Sequence, residues 1–176
     1  MILFEYFEQG GFIMYILLFL NIIGFSILLY KTILLLLLKK NHQNLINSIL
    51  YSLSSKIDTK VDEQLIIQAI EKELSYQLKN YESGLDVVKI IATISPLLGL
   101  LGTVIGVFIS FESISKQGLG DPSIFAEGIS LALITTIGGL VVAIPHYIGY
   151  NFLISMIDNI EAILEKKIIL QILENK

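Results

Sequence analysis

Long hydrophobic runs alternate with polar stretches along this chain. Three runs, residues 11–38, 90–112 and 127–156, each exceed the roughly 20 apolar residues that cross a bilayer as a helix. The first run contains Lys31 near one end, from which a lysine side chain can reach the lipid headgroups. The pattern therefore predicts an all-α integral membrane protein with three transmembrane helices.

The first run could also be read as a secretory signal peptide. Signal peptides place basic residues before a short apolar segment, whereas Glu5 and Glu8 precede this run and the run is too long. We therefore interpret residues 11–38 as a span and residues 1–10 as an N-terminal segment outside the membrane.

The polar segments between the runs differ in length. Residues 39–89 connect the first two spans, residues 113–126 form a short turn that includes Asp121 and Pro122, and residues 157–176 form a tail. Because the turn is short, the second and third spans are predicted to form an antiparallel helical hairpin.

Apolar residues recur every four positions within residues 39–89, which predicts two amphipathic helices. Thr59 followed by Asp62 resembles a capping box at the start of the second helix. These helices could provide a docking surface, or they could pack on one another, on the extended spans or on neighbouring subunits; we favour packing. The apolar positions are Leu45, Ile49 and Leu53 in the first helix and Ile66, Ile70, Leu74 and Leu78 in the second.

Composition and charge restrict the function. A hydrophobic fraction of 54% over 176 residues is too high for a soluble domain of this size. The chain has no cysteine for thiolate metal sites, no arginine and no basic stripe, and its net charge of −4 gives no sign of nucleic-acid binding. No paired carboxylates, nucleophile–base set or phosphate loop indicates an enzyme, and no cofactor is implied.

The lysines predict the orientation of the chain in the membrane. Ten of the twelve lie in residues 39–89 or the C-terminal tail, whereas the turn has only Lys116 and residues 1–10 have none. Lysine excess marks the cytoplasmic side. We therefore expect a periplasmic N-terminus, a cytoplasmic region over residues 39–89 and a cytoplasmic C-terminus.

Small and hydroxyl-bearing residues recur every three or four positions in the second and third runs. Small residues let helix backbones approach closely in lipid, whereas hydroxyls and the carbonyl freed by a proline need partners or water there. The residues concerned are Ser95, Pro96, Gly99, Gly102, Thr103, Gly106 and Ser110 in the second run, and Ser130, Thr135, Thr136, Gly138, Gly139 and Pro145 in the third.

Thr103 and Thr136 fall at similar depth if the two spans are antiparallel. In a closed oligomer such pairs, together with Ser95, Ser130 and Thr135, could line a narrow passage for a proton or a small cation. Each threonine could instead bond to the carbonyl four residues earlier in its own helix. Spacing alone leaves both interpretations open.

Two segments of these spans carry a family resemblance. The sequences PLLGLLGTVIG at 96–106 and AEGISLALITTIGGLVVAIPHYIGYN at 126–151 resemble the signature of the MotA/TolQ/ExbB proton channel family. The combination of Gly-Thr-Val, Thr-Thr followed by glycine, and Ala-Ile-Pro with a later Tyr-Asn is closest to the ExbB and TolQ members. Their three-span topology with an outside N-terminus matches the one predicted above.

The resemblance implies a homopentameric ring in the bacterial inner membrane, surrounding the transmembrane helices of a dimeric ExbD- or TolR-like partner. The partner would supply a membrane-embedded aspartate, and Thr103 and Thr136 would correspond to the threonines that surround it. Proton flow would then move the partner relative to the ring. ExbB-like members energise a TonB-like protein for outer-membrane uptake, whereas TolQ-like members maintain the envelope.

One position departs from the family pattern. Where ExbB and TolQ usually carry a glutamate in the third span this chain has Leu131, and the nearest acidic residue is Glu127. Either the partner aspartate acts with the threonines alone, which we favour, or Glu127 serves from the pore mouth. Hydroxyl-rich sites can also coordinate sodium, so sodium is the alternative ion.

Two further functions fit parts of the pattern. A passive membrane scaffold would use the same small-residue faces, whereas a flagellar stator subunit would have four spans and a larger cytoplasmic region. His146 follows Pro145 where we expect interfacial water to be close. A lone histidine without acidic or histidine neighbours is a poor metal ligand, and the pattern gives little support to pH sensing.

Overall fold

The computed structural model is helical throughout the residues that it describes, 2–40, 43–54, 63–118 and 123–174, apart from short turns. Three of its helices are long and apolar enough to cross a membrane, which agrees with the predicted number of spans. The predicted capping box at Thr59 and Asp62 and the turn residues Asp121 and Pro122 lie outside the described residues. The helices are α1 (Ile2–Gln9), α2 (Gly11–Lys40), α3 (Gln43–Ser54), α4 (Glu63–Glu82), α5 (Leu85–Gln117) and α6 (Ser123–Glu174).

The helices extend beyond the predicted apolar runs. Helix α5 starts before residue 90, and α6 continues through the predicted tail to Glu174. The continuation of α6 follows from an apolar period of three and four residues beyond residue 156, since Ile157, Ile160, Leu164 and Ile168 are all buried. Helix α1 occupies most of the N-terminal segment.

Glycines end two of the helices. Gly84 (φ 89°) follows α4 and Gly118 (φ 81°) follows α5, both in the left-handed region that glycine adopts without a Cβ penalty. At the second end, the Gly118 N–H donates to the Ile114 carbonyl at 2.8 Å. These two glycines therefore set where the chain leaves the helical direction on either side of α5.

The chain divides into two compact units. The first comprises Met1–Leu28 and Leu85–Tyr150, and so contains α1, α5 and parts of α2 and α6. Its buried apolar cluster takes residues from all three long helices, namely Ile13, Met14 and Leu17 of α2, Ile91 of α5 and Val142 of α6. All the predicted polar membrane residues of α5 and α6 belong to this unit.

The second unit comprises Leu29–Gly84 and Asn151–Lys176. The predicted stripe of α4 is confirmed, because Ile70, Leu74 and Leu78 are buried and Ile66 is partly buried. In α3, Ile46 and Ile49 are buried, whereas Leu45 is only partly buried, so the buried face is shifted by about one residue from the predicted face. The Leu53 side chain lies outside the described residues. The Ser75 hydroxyl donates to a Glu161 carboxylate oxygen at 2.8 Å, which joins α4 to α6.

Lys31 does not reach outward as the sequence pattern predicted. Its side chain is buried, and Nζ donates to the Asn80 carbonyl at 3.2 Å. Asn80 lies in the last turn of α4, where backbone carbonyls lack helical partners and the helix dipole favours a cation. The lysine therefore caps a neighbouring helix within this unit.

Candidate functional site

The site lies where α5 and α6 pack at backbone contact. Gly99 and Gly139 face each other: a Cβ built on Gly99 would lie 2.8 Å from the Thr135 carbonyl oxygen, and one on Gly139 would lie 2.5 Å from the Ser95 carbonyl oxygen. These distances leave no room for any side chain, since the neighbouring atoms are backbone. The two helices are therefore held together through glycine at this level.

The same close approach extends toward the other end of the hairpin. A Cβ on Gly106 would overlap the Gly128 carbonyl and lie 2.7 Å from the Ala132 nitrogen. Gly128 in turn faces the buried Ser110, whose hydroxyl donates across the interface to the Phe125 carbonyl at 3.0 Å. The antiparallel hairpin predicted from the short turn is thus present, with α5 and α6 in contact over four turns.

Two predicted glycines have other neighbours. Gly102 leaves room for the Thr135 side chain, which a Cβ at this position would overlap. Gly138 instead faces α2, since a Cβ built on it would lie 2.6 Å from Met14 Sδ and 3.5 Å from Leu17 Cδ1. The double glycine Gly138–Gly139 therefore serves two interfaces at once.

Close packing brings Thr103 and Thr136 into direct contact. Their hydroxyls hydrogen-bond to one another across the helix pair. The Thr103 hydroxyl also lies 3.1 Å from the Ala132 carbonyl oxygen, and the Thr136 hydroxyl lies 3.4 Å from the Gly99 carbonyl oxygen. Both threonines therefore bond between helices and lie at the same level of the α5–α6 pair.

The hydrogen bonds of this pair cannot all form at once. The two hydroxyls carry two hydrogens, whereas each of their four contacts needs one hydrogen. The contacts are the bond between the hydroxyls, the two contacts with carbonyls of the facing helix, and a contact of 3.3 Å from Thr103 to the Gly99 carbonyl of its own helix. The hydrogens can therefore be distributed in more than one way. In every arrangement of the two hydrogens, lone pairs remain on the hydroxyl oxygens and can accept a hydrogen bond or bind a cation.

We expect this contact to be trapped by a disulfide in the double variant T103C/T136C. The chain has no native cysteine, so any oxidised product reports the introduced pair. Oxidation should remove both free thiols in the monomeric band, measured by maleimide labelling and by a mass decrease of about 2 Da, which is two hydrogens per disulfide.

The matched control is T93C/T136C. Thr93 lies on the same helix as Thr103, ten positions away and therefore about 15 Å along the axis. Its two thiols should stay fully reactive within one chain. Retention of both thiols in T103C/T136C under the same oxidation would contradict the α5–α6 register.

The surface around the threonine pair is apolar. Both threonines are partly exposed, and the residues three before and four after each of them, which share their helix faces, are exposed hydrophobics. We call this surface the threonine strip; it consists of Leu100, Thr103 and Val107 on α5 and Leu133, Thr136 and Leu140 on α6. The strip thus presents two hydroxyls as its polar centre.

The other hydroxyls predicted for the ion pathway lie elsewhere. Ser95 and Thr135 are fully buried and donate within their own helices, to the Ile91 carbonyl at 2.7 Å and the Leu131 carbonyl at 2.8 Å. Ser130 is partly buried and lies 3.4 Å from the Gln9 side-chain oxygen. Within one chain these three do not join the Thr103–Thr136 pair, and their part in ion transfer stays a prediction.

The acidic candidate and the unusual leucine lie near the start of α6. Glu127 is exposed. Leu131 is partly buried, and its side chain would lie 3.9 Å from a Cβ on Gly11, at the start of α2. The position that usually carries a glutamate in ExbB and TolQ is therefore next to the N-terminal end of the first span.

The prolines lie inside continuous helices. Pro96 is within α5 and Pro145 within α6, so each deprives one carbonyl four residues earlier of its helical partner. The residue after Pro145 corrects a prediction: His146 is fully buried, with no exposed surface, although we expected water nearby. Its burial depends on Gly24 of α2, a contact that the periodicity of α6 alone does not reveal.

The structure has three apolar helices long enough to span a membrane, and two of them pack through glycine around a hydroxyl pair. These features define a multi-pass helical membrane protein with a polar site at membrane depth. Residues 40–166 match the MotA/TolQ/ExbB proton channel family, and the chain belongs to that family. The match includes α3 to α5 and most of α6, so it contains the whole Thr103–Thr136 site.

Individual relatives are biopolymer transport proteins of the ExbB type. The chain is 39% identical over 93 residues to exbB1 of Vibrio cholerae, 38% identical over 96 residues to ExbB of Aquifex aeolicus, and 36% identical over 104 residues to ExbB of Helicobacter pylori. These segments cover 52%, 54% and 59% of this chain, and 41%, 60% and 66% of the respective relatives. The chain therefore matches less than two-thirds of the length of each.

Proposed function

We propose that this protein is an ExbB-like channel subunit of a proton-driven transducer in the bacterial inner membrane. In this proposal several copies, five by family resemblance, form a ring around the membrane helices of an ExbD-like partner. Proton flow through the ring moves the partner and energises a TonB-like protein for outer-membrane uptake. The N-terminus is periplasmic and the C-terminus cytoplasmic, as the lysine distribution predicts.

The observation that carries the proposal is the threonine strip. A carboxylic acid in the hydrocarbon region is costly unless it meets hydroxyls or water, and intramembrane acids commonly relay protons. Thr103 and Thr136 offer paired hydroxyl oxygens with spare lone pairs in an otherwise apolar surface. Such a surface suits an apolar partner helix that carries one acidic side chain.

Leucine at position 131 favours a mechanism in which the partner's acid is the principal ionisable group. A glutamate at this position would add a second acid to the third span, whereas the hydroxyl pair persists without it. Glu127, exposed near the start of α6, is the acidic residue nearest to Leu131 and the candidate for an acid at the pore mouth. The proton is the proposed ion, with sodium as the alternative for a hydroxyl-rich site.

The proposal is tested by ion flux in proteoliposomes. The protein is purified with and without a one-span ExbD-like protein from the same organism. Flux is followed with a pH-sensitive dye under a proton gradient and with a sodium dye under a sodium gradient. We expect proton flux only when both proteins are present. Sodium flux alone would reassign the ion, and a stable complex without any flux would support the passive scaffold.

A further inference from the structure

His146 is a buried imidazole with one unused nitrogen. Its ring has no exposed surface, and Nδ1 lies 2.7 Å from the Val142 carbonyl oxygen. A carbonyl oxygen only accepts, so Nδ1 carries the hydrogen and the neutral ring has a bare lone pair on Nε2. No residue in the described part of the chain gives Nε2 a hydrogen-bond partner.

The unused nitrogen faces α2. A Cβ on Gly24 would overlap His146 Nε2, so the absence of a side chain at position 24 is what admits the ring. The Phe25 ring meets the imidazole edge-on with centroids 4.8 Å apart, and Ile91 of α5 packs beside Gly24 at 3.2 Å from the same Cβ position. The imidazole therefore lies between α2, α5 and α6.

Among the described residues, none that lies against the ring carries a counter-charge. The residues that contact it, Gly24 and Phe25 on α2 and Val142 on α6, do not titrate, and neither does Ile91 of α5 beside Gly24. The nearest ionisable residues along these helices are the exposed Tyr30 and the neighbouring Lys31 on α2, Lys89 on α5, and Tyr147 and Tyr150 on α6. Of these, Tyr147 is exposed, and Lys89 lies over the Tyr150 ring at 5.6 Å from its centroid.

Protonation of His146 would make its packing against Gly24 of α2 energetically unfavourable. An imidazolium has a hydrogen on both nitrogens, so an Nε2–H would be directed at the backbone of Gly24 with no acceptor, and a cation would be buried without a counter-charge. Separation of α2 from α6 would relieve both penalties by admitting water. Neutral His146 permits the close packing, and charged His146 opposes it.

We propose that His146 is a proton-sensitive contact between α2 and α6, closed when the imidazole is neutral and loosened when it is protonated. Protonation of the ring is therefore expected to loosen the contact, because it would leave a buried N–H and a buried charge without partners. The inference goes beyond the proposed transport function and does not depend on it.

The first test is thermal unfolding followed by circular dichroism between pH 8 and pH 5. The parent is His42→Asn, which leaves His146 as the single histidine. We expect its melting temperature to fall with pH by at least about 5 °C more than that of the same protein with His146→Phe. An equal fall in both proteins would overturn the proposal, because carboxylates elsewhere titrate in each.

A second measurement keeps the proposal testable should the phenylalanine variant fail to fold. Histidine labelled with ¹⁵N in the His42→Asn parent reports tautomer and charge directly by NMR in bilayers. Over a series from pH 8 to pH 5 we expect a neutral ring with hydrogen on Nδ1 while α2 is protected, and faster amide exchange in α2 as the ring becomes charged. A ring that stays neutral down to pH 5, or one that becomes charged while exchange in α2 is unchanged, would refute the contact.

Discussion

Replacement of both Thr103 and Thr136 by valine is expected to abolish ion flux while leaving the protein folded and assembled. Valine keeps the branched shape of threonine but removes the hydroxyls that are proposed to face the partner's acid. We expect proteoliposome flux to fall at least tenfold, the change that about 1.4 kcal/mol of barrier produces. Stability should change little, because interhelical hydrogen bonds in membranes contribute only about 0.6 kcal/mol each.

Two controls distinguish loss of the hydroxyl from loss of structure. T103S/T136S keeps both oxygens and should retain most of the flux. Thr93→Val removes an exposed hydroxyl that bonds only within its own helix, to the Lys89 carbonyl at 2.8 Å, and should have no effect. Normal flux in T103V/T136V would contradict the proposed pathway and would leave these hydroxyls with a packing role.

Gly139→Ala is expected to destabilise the protein strongly even though it adds a single methyl group. The new Cβ would lie 2.5 Å from the Ser95 carbonyl oxygen and 3.1 Å from the Gly99 Cα, and backbone atoms on the facing helix cannot rotate away. Overpacking of this kind costs about 1–3 kcal/mol. We expect the melting temperature, followed by circular dichroism, to fall by about 4–10 °C.

Gly149→Ala is the matched control because it makes the same chemical change on the same helix. Its Cβ would meet only the side-chain carbons of Leu28, which can change rotamer. Alanine also favours helix over glycine by about 1 kcal/mol, so this variant should be unchanged or more stable. If both variants behaved alike, the backbone contact between α5 and α6 would not be what requires glycine at position 139.

Hydropathy and local periodicity determined much of this protein. A helix in lipid must satisfy its own backbone hydrogen bonds, so long apolar runs leave little choice of structure, and the three spans follow from composition alone. The stripe of α4 was predictable for the same reason, since a period near four residues defines one face of a helix whatever it packs against. The similar level of Thr103 and Thr136 also followed from a short turn between antiparallel spans, whereas spacing left open whether each hydroxyl bonds between helices or within its own helix.

Tertiary structure decided the properties that depend on a second helix. The sequence shows that His146 is polar and that Lys31 is basic, but it does not show what they contact. The burial of His146 against Gly24 and the hydrogen bond of Lys31 to the Asn80 carbonyl of α4 are seen only in the packed structure. The structure also shows that the adjacent glycines have different neighbours, since Gly138 faces α2 and Gly139 faces α5. The physical reason is that a sequence specifies which face of a helix is small or polar, whereas only packing specifies which neighbour fills it.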